Sequence, residues 1–162
     1  MGIDPGLNIT GYAAVDFGRG EPAIFEAGTL RTRPRADMAS RIVQIHLDLR
    51  ELLAELAPDL VAIEQVYAHY KHPRTAILMG HARGAIMLAA AKCGVPVASY
   101  SATMIKRSLT GNGHASKQQV QRMIEVMLGL REPPEPVDVS DALAVALCHL
   151  NAAGKPDVLG RK

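Results

Sequence analysis

The spacing of apolar positions changes repeatedly along the chain, and each change marks an element. Strand-like runs open it at Gly2–Asp4, Thr10–Asp16 and Ile24–Arg31. They are parted by Pro5-Gly6 and by Gly18-Arg19-Gly20, both turn signals, so two hairpins and three antiparallel strands are predicted. Met38, Ile42, Ile45, Leu49, Leu52, Leu53 and Leu56 then follow a helical period that Pro58 ends. Leu60–Glu64 is a short apolar run, as a buried strand should be. A second helix is predicted over Thr75–Cys93, closed by Gly94 in the left-handed cap position. Val95–Tyr100 is the next buried strand, and Met104–Leu109 a short helix. Ser116 with Gln119 makes a capping box before the helix containing Val120, Ile124 and Met127. Pro133, Pro134 and Pro136 form a stiff connector. The last helix starts near Asp138 and finishes before Gly154, leaving Lys155–Lys162 as a loose tail. Three strands, then helix–strand–helix–strand, then helices predict an α/β fold: a mixed sheet with helices on both faces and right-handed crossovers. In such a sheet the ends of Gly2–Asp4 and Leu60–Glu64 can be neighbours.

Composition narrows the class. A chain of 162 residues with 48% hydrophobic and 21% charged positions reads as one globular domain, here residues 1–154. No apolar run reaches the roughly 18 residues of a membrane span, and no basic-then-apolar leader opens the chain, so a cytoplasmic protein is expected. Cys93 and Cys148 lack metal-ligand spacing and lie in apolar helical stretches, which predicts buried, reduced thiols. A net charge of +2 does not by itself mark a nucleic-acid binder. Acids gathered at one site would nevertheless leave a basic surface elsewhere, for which Lys71, Arg74, Lys106, Arg107, Lys117 and Arg122 are candidates.

The chemistry lies in the acids. Asp4 and Glu64 each close a strand-like run, and Asp138 and Asp141 are three residues apart where a helix begins, so that both can face one way. Brought together, four carboxylates would raise one another's pKa unless a cation neutralised them, and hard oxygen donors in an open site suit Mg²⁺ or Mn²⁺. Three of the acids have a plainer explanation: Asp138 and Asp141 as a first-turn pair on the helix dipole, Asp4 as a turn residue before Pro-Gly. Glu64 resists one, because an acid at a buried strand end is costly without a partner. A shared metal site accounts for all four.

Read in order, Gly2-Ile3-Asp4-Pro5-Gly6 with Thr10-Gly11-Tyr12, Ala62-Ile63-Glu64-Gln65-Val66-Tyr67, Ala82-Arg83-Gly84, Lys106 with Gly111-Asn112-Gly113, Ser116-Lys117 and Asp138-Val139-Ser140-Asp141-Ala142-Leu143-Ala144 cover essentially the full chain. In these motifs the chain resembles the RuvC family of Holliday junction resolvases, within the RNase H-like nuclease superfamily. The resemblance implies an RNase H-like five-stranded sheet, three strands antiparallel and two parallel. It implies a homodimeric endonuclease that nicks a four-way DNA junction symmetrically, leaving 5′-phosphate and 3′-hydroxyl ends. Asp4, Glu64, Asp138 and Asp141 match the catalytic, metal-binding acids, with two Mg²⁺ ions expected and Mn²⁺ as a substitute. Lys117 and Lys106 match basic residues beside the scissile phosphate. Tyr67 matches an aromatic that stacks on an unpaired base, and Arg74 is a further basic residue expected on the DNA. The RuvA–RuvB branch-migration complex is a possible partner under the same resemblance.

Two places depart from the family pattern. The span from Glu64 to Gly84 is one residue longer and is stiffened by Pro73, and the first strand has only Met1 ahead of Gly2-Ile3-Asp4. His69 and His72 in that longer span are expected to be polar loop residues and not ligands. The helix Thr75–Cys93 is apolar around most of its circumference, with Gly80 and Gly84 four apart, so several of its faces should be covered, within the monomer or by a second copy. Rival readings are an RNA-cleaving RNase H-like nuclease, a catalytically silent junction-binding protein, and an actin-like ATP-binding module, for whose second lobe the chain leaves no space.

Overall fold

The computed structural model describes residues 1–17, 21–67 and 73–153. Five strands, β1 (Gly2–Asp4), β2 (Ile9–Asp16), β3 (Ala23–Arg31), β4 (Val61–Glu64) and β5 (Val97–Tyr100), form one sheet in the order β3-β2-β1-β4-β5. The pairs β1–β2 and β2–β3 are antiparallel, whereas β1–β4 and β4–β5 are parallel. This is the mixed sheet expected from the sequence. The helices are α1 (Met38–Leu56), α2 (Pro73–Lys92), α3 (Ala102–Thr110), α4 (Lys117–Leu128) and α5 (Val137–Ala153).

Strand alternation sorts the core into two layers. Ile3 and Ile63 point to one face, where they pack with Ile45, Leu49 and Leu53 of α1 and Ile86 and Ala89 of α2. Ala13 and Ala62 point to the other, against Leu143 and Leu147 of α5 and Ile105, Val120 and Ile124 of α3 and α4. On that second face α5 rests directly on backbone: a Cβ at Gly2 would run into the Ala142 carbonyl, and one at Gly11 into the carbonyl of Asp138. Those two glycines are what allows the helix so close to the sheet.

Local chemistry explains most boundaries. The Asp37 side chain accepts from the Ser40 N–H to start α1, and Ala57 at φ 40° ends it ahead of Pro58. The capping box of Ser116 and Gln119 is present at α4. Three limits differ from expectation by two residues. Helix α2 begins two residues early, at Pro73, a residue that the first turn tolerates. Helix α3 begins at Ala102 because Ser101 caps it, accepting from the Met104 N–H at 3.2 Å. Strand β5 starts only at Val97, since the Val95 N–H is taken by the Ala90 carbonyl at the end of α2, where Gly94 has φ 71° as foreseen.

Cys148 is buried, but Cys93 is exposed, contrary to expectation: it follows the last residue of α2 and has left the packed face. Of the cover expected for α2, the monomer supplies only part. Ala82, Ile86 and Ala89 are buried, yet Ile77 is 60% and Leu88 55% exposed, and nothing lies within 4 Å of a Cβ built at Gly80 or Gly84. Among the described residues no helix is long and apolar enough to cross a membrane. The expected turn at Gly18-Arg19-Gly20, and Tyr70, Lys71, His69, His72 and the tail Lys155–Lys162, lie outside the described residues.

Candidate active site

Register and side-chain alternation build the site. Gly2 pairs with Ala62 and Ile3 with Ile63, so Asp4 and Glu64 come next, side by side at the ends of parallel strands. Ile3 and Ile63 face α1 and α2, so Asp4 and Glu64 face the opposite way, toward α5. The first turns of α5 present Asp138 and Asp141 to them, and Gly11 sets how near Asp138 can come. All four acids line one cavity of about 460 Å³. Lys106 from α3 and Lys117 from the first turn of α4 complete its polar lining; Met79, Ile105, Val120, Val137 and Ala144 supply apolar wall.

The electrostatics of this cavity are unbalanced. The Asp4 pKa is pushed up to about 7, first by burial and then by the charges of Asp141, Glu64 and Asp138, with Lys117 opposing. Glu64 is raised by burial and by Asp141, against the pull of Lys117 and Lys106. Lys117 donates to Asp141 Oδ2 at 2.9 Å, and that bond holds its ammonium above the ordinary lysine range. The lysine side chain is nonetheless 71% exposed, so its charge offsets the acids only in part.

An oxygen-only donor set, short of positive charge and open to solvent on one side, fits a divalent cation such as Mg²⁺. Among the described residues no three His, Cys, Asp or Glu side chains are already closed into a ligand shell. The acids line a common cavity without clasping one another, as like charges do when nothing screens them. The raised pKa of Asp4 expresses burial first and then the same repulsion, and a cation would offset both.

The remaining sequence candidates are more peripheral. Tyr67 is 66% exposed just past β4, its hydroxyl donating to Gln65 Oε1 at 2.7 Å. Arg74 is exposed on the first turn of α2 and is not among the residues lining the cavity; Arg107 and Arg122 are exposed on helix surfaces. The apolar wall was not singled out in advance, because from sequence those residues look like ordinary core. Arg83 was quoted only as part of a motif. It is a charged residue between the buried Ala82 and Ala85, and that oddity was the available signal.

Comparison with known proteins gives a consistent result. Residues 1–149 match the family model described as crossover junction endodeoxyribonuclease RuvC. The chain is 48% identical to the protein of that name from Rhodopirellula baltica, over 96% of this chain and 88% of the relative. It is 43% identical to the one from Moorella thermoacetica, over 94% of this chain and 91% of the relative. The fold superposes on Thermus thermophilus RuvC, solved in complex with a Holliday junction substrate, with a TM-score of 0.86, 36% identity, and coverage of 94% of this chain and 92% of that one. The sheet and its helices are therefore an RNase H-like fold.

Proposed function

This chain belongs to the RuvC family of crossover junction endodeoxyribonucleases, and from that membership we propose that it resolves four-way DNA junctions by paired, symmetric hydrolytic nicks. The observation that carries the reading is the convergence of Asp4, Glu64, Asp138 and Asp141, from two strands and a helix, on one cavity with lysines beside it.

Those four carboxylates would hold divalent cations, in this proposal two Mg²⁺ ions, with Mn²⁺ able to replace them. When bound, such ions supply a water of lowered pKa and positive charge against a phosphate that gains negative charge as it is attacked. The protein's own residues do the rest. Asp4 and Glu64, fixed by the sheet, set where the cluster of negative charge sits. Lys117, exposed and held near Asp141, offers its ammonium to the phosphate next to the scissile bond. Lys106 reaches the same cavity from α3. The buried apolar wall of Ile105 and Val120 limits water on that side and strengthens each charge–charge term. Tyr67, exposed close to Glu64, would stack on a base at the crossover for about 1–3 kcal/mol, and Arg74 on α2 adds a backbone contact.

Paired nicks call for two such sites. The uncovered stripe of Ile77, Gly80, Gly84 and Leu88 on α2 follows helical spacing and lets another helix approach closely, which supports a two-fold homodimer built on α2.

The deciding experiment is a denaturing-gel nicking assay with Mg²⁺ on a mobile four-way junction and on linear duplex. The expected result is symmetric nicks in the junction alone, lost in Asp4→Asn and in Glu64→Gln. Equal cutting of duplex, or activity that survives both substitutions, would overturn the reading.

A further inference from the structure

We infer that Arg83 is a positioning residue for Glu64: from the far side of the sheet it holds the Glu64 main-chain carbonyl in place of a ladder donor that Pro5 cannot supply. The inference rests on the proposed role of Glu64 as a cation ligand.

The ladder itself shows the gap. The Ala62 N–H donates to the Met1 carbonyl at 2.7 Å, so the even-numbered residues of β4 turn their backbone groups toward β1. In a parallel pair that pattern repeats every second residue. The Ala62 carbonyl would accept from Ile3, and the Glu64 carbonyl from residue 5. Residue 5 is Pro5, which has no N–H. A carbonyl at this half-buried strand end then needs another donor, or the strand end loosens. Arg83 provides it, with Nε donating to the Glu64 carbonyl oxygen at 3.2 Å. Its other arm donates through Nη2 to Ser99 Oγ at 2.7 Å. Ser99 of β5 pairs with Ile63 of β4, so one guanidinium spans the ends of the two strands.

Arg83 does not enter the cavity. It comes from α2, on the face of the sheet opposite to the acids, between Ala82 and Ala85 in the packed layer. Its influence must therefore run through the Glu64 backbone, whose φ and ψ aim the carboxylate. Residues that orient a ligand in this way typically change metal affinity or activity about 10–100-fold when removed.

The test pairs calorimetric titration of Mn²⁺ with nicking rates at saturating junction, for wild type, Arg83→Ala, Arg83→Lys and Ser99→Ala. Arg83→Ala should weaken Mn²⁺ binding and lower kcat by about 10–100-fold, while junction affinity in metal-free buffer stays that of wild type. Arg83→Lys keeps a cationic donor without the planar fork and should recover part of both. Adding Pro5→Ala to Arg83→Ala restores a backbone N–H at the gap and should also recover part of the loss. Wild-type Mn²⁺ affinity and kcat in Arg83→Ala would overturn the inference, as would a loss confined to junction binding. Should Arg83→Ala fail to fold, Ser99→Ala decides: weaker Mn²⁺ binding supports the role, and wild-type binding overturns it. A wild type that binds Mn²⁺ but cuts no junction would sink the proposed function, and the calorimetric series would still judge Arg83.

Discussion

Two of the four acids ride on strands and two on a helix, and the two pairs meet different physics. Asp4 and Glu64 end adjacent parallel strands that lie in the interior of the sheet, and burial is the first cause of the rise in both their pKa values. Asp138 and Asp141 occupy the opening turns of α5, where the helix N-terminus favours negative charge and Lys117 is in direct contact with Asp141. The strand pair thus carries the desolvation, while the helix pair brings charge to it with partial compensation of its own. A cluster of this kind is costly to fold without a counter-charge, and burial puts that cost first on the strand-borne half.

Substitutions separate the halves. The largest effect is expected from Asp4→Asn, which should abolish nicking yet stabilise the metal-free protein at neutral pH, because a buried repelling charge is gone. Each kcal/mol so relieved should raise Tm by about 2–4 °C. Asp138→Asn should also abolish nicking but leave the metal-free Tm nearly unchanged. Equal Tm gains in both variants would erase the distinction drawn between strand and helix.

The pH dependence is the next largest effect. The folded-state pKa of Asp4 is raised to about 7 from an ordinary 3.8, so the native state keeps a proton that the unfolded chain releases. The stabilisation is complete below pH 3.8 and is lost as pH climbs through about 7. Thermal melts in a chelator should therefore show this part of the stability declining across that window. Added Mg²⁺ should raise Tm more at about pH 8 than at about pH 5.5, since at the higher pH it displaces no proton. Asp141→Asn removes the leading charge that raises Asp4, so the decline should move to lower pH, and only slightly because burial comes first among the causes. A chelated protein whose Tm rises from pH 4 to about 7 would contradict a buried, protonated Asp4.

The smallest effect is expected at Lys117. Its ion pair with Asp141 is largely exposed, so Lys117→Ala should change stability by under about 1 kcal/mol. It should lower the salt slope of junction binding by about one unit and reduce nicking. An unaltered slope together with an unaltered rate would remove Lys117 from the phosphate.

How much of this was legible in the sequence follows from how local each signal is. Period and punctuation placed the three opening strands, α1 and the capping box of α4, because caps, turns and apolar spacing act within a few residues. The same locality made the acids visible as strand-end and helix-start residues. Cys93 was misjudged because an apolar neighbourhood in sequence says nothing about which side of a helix end stays packed. The start of α3 was missed through an unrecognised cap at Ser101. The open stripe on α2 was foreseen as a surface needing cover, but only coordinates show that the monomer leaves it bare. Arg83 required the ladder register, which joins Pro5 to Glu64 across nearly sixty residues and has no local trace.

The seat of α5 on Gly2 and Gly11 has one more consequence. Where side chains separate a helix from a sheet, their rotamers act as a cushion, and repacking can change the spacing. Here main chain meets main chain, so the gap between Asp138 and the strand acids is set by atomic radii, which no change of rotamer can alter. Core variants far from the cavity should therefore erode the melting temperature well before they change the width of the cleft between the helix and the strand ends.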